Sequence, residues 1–229
     1  MSENSCILLL NGPPGSGKDT IGNIIQSLYE NHSIKITRFA FADPIKKGLH
    51  ALLGIDHLDK EIFETSKDKP LKVLTSGTID NEETLRDCYI DIAENFMRKK
   101  YGKDIFAKIA VNKINTSSAS YLKPPLTIIT DLGFDSELDI IQKALKNSYY
   151  ISVWNVFRPE KDFSKDSRNY VYPKNELEES PNKIVSIKII NDGPLHLLSD
   201  KVRNALYEWG SYIKLSEKEN RNNIQNEEK

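Results

Sequence analysis

The sequence predicts an α/β domain built on a mostly parallel sheet of five strands, with helices on both faces. Two observations lead to this prediction. Short apolar runs alternate along the chain with segments whose apolar residues recur at helical spacing. Strands that alternate with helices form parallel sheets covered on both faces. At 229 residues, the chain is also long enough to bury a sizeable core.

The first half of the chain supplies two of the strands. Residues 6–10 form a continuous apolar run that ends at a glycine and proline cluster, as in strands buried on both faces. Apolar residues at helical spacing follow over residues 21–28. A second strand is predicted over residues 34–41. A helix is predicted after Pro44, since a first helical turn tolerates proline.

The middle of the chain is polar before it returns to the sheet. Residues 56–83 are interpreted as loop with short helical pieces, and helices are predicted over 85–101 and 104–114. A linker rich in serine and proline covers residues 116–125. Residues 126–130 then form another strand of the buried type, which ends at Asp131 and is followed by a further helix.

The last two strands are predicted over residues 149–157 and 184–190. Between them, residues 158–183 are polar and show no period; loops of this length are functional or disordered. A final amphipathic helix precedes residues 214–229, which nearly lack apolar side chains. We therefore expect this tail to be disordered.

Composition excludes several classes of protein. The 32 basic and 33 acidic residues leave a net charge of −1, which argues against a nucleic-acid binder held by bulk charge but leaves a local basic patch open. Two cysteines cannot form a disulfide scaffold and suit a reducing cytoplasm. No apolar run approaches the roughly 18 residues of a membrane span, and we recognise no secretory signal.

The clearest motif is a phosphate loop. Residues 12–18 read GPPGSGK and fit the pattern G-x-x-x-x-G-K, directly after a predicted strand and before a predicted helix. Such a loop turns backbone N–H groups toward phosphate oxygens, and its lysine reaches the β- and γ-phosphates. Motif and context together favour this function over a simple turn. The predicted nucleotide-binding residues are Gly12, Gly15, Ser16, Gly17, Lys18, Asp19 and Thr20.

Asp19 stands where the pattern usually has a serine or threonine whose hydroxyl binds magnesium. A carboxylate is also a hard-oxygen partner for Mg²⁺, directly or through water. Alternatively, Asp19 only stabilises the positive end of the helix, and both roles can hold at once. A GTPase is disfavoured because the sequence has no Asn-Lys-x-Asp guanine signature.

Three segments together resemble the deoxynucleoside monophosphate kinases of bacteriophages, in both order and spacing. They are residues 17–20 (GKDT), 39–46 (FAFADPIK) and 191–193 (NDG). These enzymes belong to the nucleoside and nucleotide kinases of the P-loop class, with dephospho-CoA kinase and one type of phosphomevalonate kinase as relatives. The resemblance runs from Ile7 to about Leu206. It implies ATP-dependent phosphoryl transfer to a (deoxy)nucleoside monophosphate, with ATP and Mg²⁺ as cofactors.

The resemblance also implies an organisation for the chain. It gives a single P-loop kinase domain over residues 1–213, with an acceptor-binding lobe over about 43–115 and a lid over about 158–183. The partners implied are small-molecule nucleotides, without a membrane, in the cytoplasm (the host's, if the protein is viral). Nucleic acid is disfavoured rather than excluded, and a homodimer stays open.

Site residues follow from the resemblance as well. The catalytic residues implied are Lys18, Arg158, Asp131 and Arg86, and the metal ligands are Asp19 and Asp131. The substrate-binding residues implied are Phe41, Asp43, Lys46, Arg86, Arg98, Glu137 and Arg168. Residues Asn191, Asp192 and Gly193 would border the base of ATP. Each arginine also has a plainer interpretation as a solvated charge, and Asn-Asp-Gly alone is an ordinary turn.

One position departs from the family pattern. The family typically reads Asp-x-Arg-x-x-x-Glu, whereas residues 131–137 read DLGFDSE, with Gly133 in place of the arginine. Either the acceptor differs, another residue such as Arg38 substitutes, or activity is weakened. Two other functions therefore stay open. One is a P-loop kinase of another acceptor, such as a hydroxymethylated base in viral DNA, dephospho-CoA or phosphomevalonate. The other is a non-catalytic nucleotide-binding protein.

Overall fold

The computed structural model describes residues 5–30, 36–118, 126–145, 148–164, 166–174 and 184–227. The strands are β1 (Ser5–Asn11), β2 (Ile36–Phe39), β3 (Leu126–Leu132), β4 (Tyr149–Phe157) and β5 (Val185–Ile190). The helices are α1 (Lys18–Tyr29), α2 (Asp43–Leu52), α3 (Lys60–Ser66), α4 (Leu71–Leu74), α5 (Leu85–Asp91), α6 (Lys99–Tyr101), α7 (Ile105–Ser118), α8 (Asp135–Leu145) and α9 (Leu195–Glu227). A π-helical segment, Ile92–Arg98, joins α5 to α6.

The five strands form one parallel sheet in the order β2-β3-β1-β4-β5, which confirms the predicted fold class. Since all strands run the same way, their carboxyl ends lie at a single edge of the sheet. The central strand β1 pairs with β3 on one side and with β4 on the other. The chain thus leaves β1 toward one half of the sheet and later crosses to the other half. Ligands of open α/β sheets bind at such a reversal.

Both faces of the central strand are covered. Leu8 and Leu10 of β1 join Ile21 of α1 and Val202 of α9 in one buried cluster. Leu9 points to the opposite face, because side chains alternate along a strand, and it is fully buried as well. This burial explains why β1 reads as an uninterrupted apolar run rather than an alternating one.

The chain divides into two compact units. The first consists of Met1–Phe41 and Ala107–Lys229 and contains the sheet. The second, Ala42–Phe106, has a small apolar core of its own. That core contains Leu49, Ile55, Phe63, Leu71 and Leu85. The second unit corresponds to most of the predicted acceptor-binding lobe, and α3 and α4 are the short helices expected in its polar segment.

The carboxyl-terminal helix is longer than the sequence predicts. Helix α9 continues to Glu227, whereas residues 214–229 are predicted to be disordered. The prediction of disorder rests on the lack of apolar side chains. Lysine, glutamate, arginine and glutamine nevertheless have helix propensities close to that of alanine, and an existing helix extends without a new nucleation cost. Among the described residues, no helix combines the length and apolar character needed to cross a membrane.

We expect Leu10→Ala to lower the free energy of unfolding by about 2–5 kcal/mol, because it leaves a cavity at a fully buried position. Leu195→Ala is the matched control, since Leu195 is 63% exposed on the same unit, and it should change stability by less than about 0.5 kcal/mol. Urea unfolding followed by circular dichroism measures both. Equal effects would contradict the packing of β1 described above.

Candidate functional site

The phosphate loop, residues 12–18, connects β1 to α1 at the carboxyl edge of the sheet. Its backbone turns through Gly17, whose φ of 104° lies in the left-handed region that glycine adopts without steric cost. A side chain at Gly17 would also collide with the amide nitrogen of Asn191. A hydrogen bond of 3.2 Å from the Ser16 N–H to the Pro13 carbonyl closes the turn. The motif glycine is therefore required by both conformation and space.

The ammonium of Lys18 is folded back into this loop. Its Nζ donates to the carbonyl oxygens of Gly12 at 2.6 Å and Pro13 at 2.8 Å. Burial, together with the positive charge of Arg168, lowers the pKa of Lys18 to about 8, and three nearby carboxylates act in the opposite direction. The amine consequently stays mostly charged at neutral pH. It can exchange these carbonyl oxygens for the oxygens of a bound phosphate.

Asn191 supports the loop from behind. Its Nδ2 donates to the Ser16 carbonyl at 2.8 Å, and its own N–H donates to the Phe157 carbonyl at 2.7 Å. The side chain is buried, and its hydrogen bond supports the phosphate loop. The sequence predicts a different role for it, beside the base of ATP. Asp192 is ion-paired with Lys201 at 2.6 Å on the surface. A base contact by residues 191–193 remains a prediction.

The guanidinium of Arg38 is hydrogen-bonded to side chains of helix α1. Its Nη2 donates to the carboxylate of Asp19 at 2.6 Å and its Nη1 to Oδ1 of Asn23 at 2.5 Å. The guanidinium lies over Gly22, where an added Cβ would come within 2.6 Å of the Arg38 Cζ. Arg38 therefore pairs with the first turn of α1. These contacts give no support to the idea that Arg38 stands in for the family arginine that is missing at position 133.

The metal ligands suggested by the sequence are hard oxygen donors. Asp19 is exposed in the first turn of α1, and Asp131 lies near the end of β3. Among the described residues, no group of three or more His, Cys, Asp or Glu side chains is arranged to hold a metal ion. Mg²⁺ usually takes one or two carboxylates and completes its shell with phosphate oxygens and water. The donor set thus fits a magnesium ion that arrives with a nucleotide.

Asp131 also fixes the start of the segment after β2. It is the last residue but one of β3, which extends to Leu132, one residue beyond the predicted end of the strand. Its Oδ1 accepts a hydrogen bond of 2.7 Å from the backbone N–H of Phe41. The ring of Phe41 is buried. The two residues that the family resemblance places at the site therefore meet through a backbone contact.

Glu137 has a local role in the structure. Its Oε2 accepts hydrogen bonds from the backbone N–H groups of Gly133 at 3.1 Å and Phe134 at 3.3 Å, at the start of α8. A carboxylate in this position satisfies free N–H groups of the helix terminus and complements its positive end. These bonds explain why the carboxylate is buried without invoking the predicted substrate contact.

Two buried asparagines that the sequence analysis did not identify hold part of the predicted lid. Asn11 donates to the Asn169 carbonyl at 3.0 Å and accepts from the Val171 N–H at 2.9 Å. Asn155, its register partner on β4, donates to the Val171 carbonyl at 3.2 Å. The signal in the sequence is an amide within an otherwise apolar strand. These bonds attach residues 169–171 to the edge of the sheet.

The beginning of the predicted lid lies over the phosphate loop. Nη1 of Arg158 is 3.4 Å from the carbonyl oxygen of Gly15. The side chain of Lys161 also approaches Gly15, with Cε 3.5 Å from where a Cβ would stand. Tyr170 stacks on Phe157 with ring centroids 4.2 Å apart. Cationic side chains and an aromatic contact thus connect this segment to the phosphate loop and to the end of β4. Residues 165 and 175–183 of the predicted lid lie outside the described residues.

The two arginines predicted in the acceptor-binding lobe have different surroundings. Arg86 forms a two-point ion pair with Asp68, and both side chains are largely exposed. The side chain of Arg98 is only 12% exposed. Its Nη1 donates to the Lys103 carbonyl at 2.9 Å, and its Cζ lies 5.2 Å from the centroid of the Phe106 ring. The Arg98 contacts are those of a packed structural residue, whereas Arg86 remains at the surface.

The remaining predicted acceptor residues lie on α2. Asp43 is its first residue, and the Lys46 ammonium lies 6.0 Å from the ring centroid of Tyr89. Tyr89 in turn shares a hydrogen bond of 2.5 Å with Nε2 of His50, whose ring stacks on Phe63 at 3.7 Å. This polar and aromatic cluster belongs to the second unit alone. A substrate role for Asp43 and Lys46 remains a prediction.

Among solved structures, two kinases align along most of this chain with low structural similarity. The APS kinase CysC of Mycobacterium tuberculosis, in complex with AMPPNP and APS, has 12% identity and a TM-score of 0.42, covering 89% of this chain and 98% of its own. A gluconokinase from Sinorhizobium meliloti 1021 has 9% identity and a TM-score of 0.41, covering 94% and 98%. No family model matches the chain, and a search of curated proteins finds no relative. Function must therefore be inferred from its own residues.

We expect Asn191→Ala to weaken the binding of ATP and of tripolyphosphate by the same factor, about two- to tenfold, because it removes a hydrogen bond that supports the phosphate loop. Titration calorimetry with a non-hydrolysable ATP analogue and with tripolyphosphate measures this. Asn204→Ala, an exposed control on α9, should change neither affinity. A loss restricted to the ATP analogue would instead indicate the base contact predicted from the sequence.

Proposed function

We propose that this chain is a P-loop kinase that transfers the γ-phosphoryl group of ATP to a (deoxy)nucleoside monophosphate. The observation that carries the proposal is the buried ammonium of Lys18, held inside a glycine-rich loop between the central strand and α1. A charged lysine in this loop, at the switch point of a parallel sheet, matches the requirements for a nucleotide β- and γ-phosphate.

The chemistry requires little beyond positioning and charge. The acceptor is itself a phosphate, which is largely ionised near neutral pH, so the reaction needs no strong general base and no covalent intermediate. The site must align the two phosphates and neutralise the charge on the transferred group. Lys18 and Arg158 supply cationic groups beside the loop. Asp19 and Asp131 are the carboxylates that would hold a magnesium ion, which would supply positive charge to the phosphate oxygens.

The choice of a nucleoside monophosphate as acceptor rests on the family resemblance of residues 39–46 and of the arginine at position 86. Arg86 presents a planar guanidinium at the surface of the second unit, and such a fork suits a phosphate group. A base in viral DNA is less favoured as acceptor. Of the basic run 98–100, Arg98 is occupied by packing, which leaves only Lys99 and Lys100 exposed.

The proposal is tested by supplying ATP and Mg²⁺ with a panel of acceptors and measuring ADP release. The panel contains the common ribo- and deoxyribonucleoside monophosphates, together with dephospho-CoA, phosphomevalonate and DNA carrying hydroxymethylated bases. Release that depends on a monophosphate supports the proposal. ADP release that depends on another member of the panel would identify that compound as the acceptor instead. Tight ATP binding without any turnover would indicate a nucleotide-binding protein that is not a kinase.

We expect Lys18→Met to lower kcat by at least about a hundredfold, because it removes a cation aimed at the transferred phosphoryl group while it keeps the length of the side chain. The measurement is steady-state ADP release with a saturating monophosphate. Circular dichroism and thermal unfolding of the variant provide the check on folding. A folded Lys18→Met variant with near-normal kcat would exclude the kinase mechanism.

We expect Arg86→Ala to raise KM for the monophosphate and to lower kcat/KM by roughly ten- to a hundredfold, with ATP affinity nearly unchanged, because a charge-assisted phosphate contact is lost. Asp68→Ala is the matched comparison, since it breaks the same ion pair but leaves the arginine. If both variants have the same kinetics, the pair serves only the structure of the second unit. The acceptor contact would then have to be made by other residues.

A further inference from the structure

The side chain of Arg168 crosses the backbone at Gly133. A methyl group at position 133 would overlap Cγ and Cδ of Arg168 and would lie 2.8 Å from its Cβ. The φ angle of Gly133 is not in the left-handed region, so the backbone there would accept any residue. Position 133 therefore requires glycine for its space alone, and that space is taken by the arginine stem.

Asp166 fixes the direction of the guanidinium. Its Oδ1 accepts from Nε of Arg168 at 2.8 Å and from the Arg168 backbone N–H at 3.0 Å, while its Oδ2 accepts from Nη2 at 2.5 Å. This two-point pair occupies two of the five N–H groups of the guanidinium. Within the described chain, the other three have no protein acceptor, so they are available to a ligand.

The backbone beside Arg168 is attached to the sheet. The Asn169 N–H donates to the Gly133 carbonyl at 3.1 Å, and the Asn169 carbonyl accepts from the buried amide of Asn11. The guanidinium thus has a fixed position before any ligand binds. A side chain carried by a freely moving lid would have no such attachments.

A second cation lies close by. Arg168 crosses Gly133, which follows Leu132, the register partner of Asn11, and Asn11 directly precedes the phosphate loop that holds Lys18. The sheet edge beside the phosphate loop thus carries two cationic side chains, Lys18 and Arg168. Such an arrangement is typical of a site for a highly charged ligand.

We propose that Arg168 is a pre-positioned phosphate-binding residue of the phosphate-loop site. The lack of a side chain at Gly133 makes room for it, and Asp166 orients its guanidinium. The inference rests on the proposed function, because it assigns Arg168 to the site at which Lys18 acts. It gives Gly133 a positive role: the glycine is not a lost contact but the space that admits an arginine from a different segment.

A double-mutant cycle tests the steric part. We expect Arg168→Ala to lower kcat/KM about ten- to a hundredfold, and Gly133→Ala to produce a loss of similar size by displacing the arginine. In an Arg168→Gly background, Gly133→Ala should cost less than about twofold, because Cβ, Cγ and Cδ at position 168 are then all absent. Equal effects of Gly133→Ala in both backgrounds would overturn the proposal, as would an Arg168→Ala variant with normal kcat/KM.

Asp166→Asn tests the aligning role of the carboxylate. It should cause a smaller loss than Arg168→Ala, and this loss should disappear when Arg168 is already alanine. Two controls account for general effects. Arg203→Ala removes an exposed cation from α9, and Gly210→Ala adds a methyl group with no neighbour within 4 Å; both should leave kinetics unchanged.

Binding of tripolyphosphate, measured by titration calorimetry without an acceptor, separates this inference from the proposed function. We expect the wild-type chain to bind it and Arg168→Ala and Gly133→Ala to bind it at least about fivefold more weakly. Wild-type turnover combined with unaltered tripolyphosphate affinity in both variants would overturn the role of Arg168 alone. Tight tripolyphosphate binding without turnover, weakened in both variants, would support Arg168 while it excludes the kinase. A wild-type chain that binds neither tripolyphosphate nor ATP would overturn both.

Discussion

The buried amide of Asn11 is the constraint on which the carboxyl edge of the sheet depends. This side chain is fully inaccessible, and its nitrogen and oxygen together bond to the Leu132 carbonyl, the Asn169 carbonyl and the Val171 N–H. An unsatisfied polar group at this depth costs about 1–3 kcal/mol, so the three backbone segments must converge here. They converge one residue before the phosphate loop begins. The loop therefore starts from a fixed point.

The sequence was sufficient for the strands and for the phosphate loop, because both signals are local. A continuous apolar run identifies β1 wherever the rest of the chain goes, and G-x-x-x-x-G-K between a strand and a helix identifies the loop. The contacts that arrange the site are not local. Asn11 and Val171 are 160 positions apart, and Arg38 reaches Asp19 across 19 positions. No periodicity encodes such pairs, and only the folded chain brings them together.

Several residues at motif positions make contacts that stabilise the fold itself. Glu137 satisfies the first N–H groups around α8, Asn191 supports the phosphate loop, and Arg98 is packed on an aromatic ring. A sequence pattern records that a polar residue is needed at a position, but not which partner needs it. Burial and hydrogen-bond partners distinguish the two, because a side chain already satisfied by its own backbone gains less from a ligand.

The internal bonds of Lys18 have a consequence for selectivity among anions. The ammonium is held by two carbonyl oxygens of its own loop, at 2.6 and 2.8 Å. An incoming anion must therefore outcompete good acceptors rather than fill a vacancy. A small anion such as chloride offers one weak contact and recovers little of what it displaces. A polyphosphate chain offers several charged oxygens at once and also reaches the backbone donors of the loop. If the loop binds phosphate as we propose, this competition favours polyphosphates over simple monovalent anions.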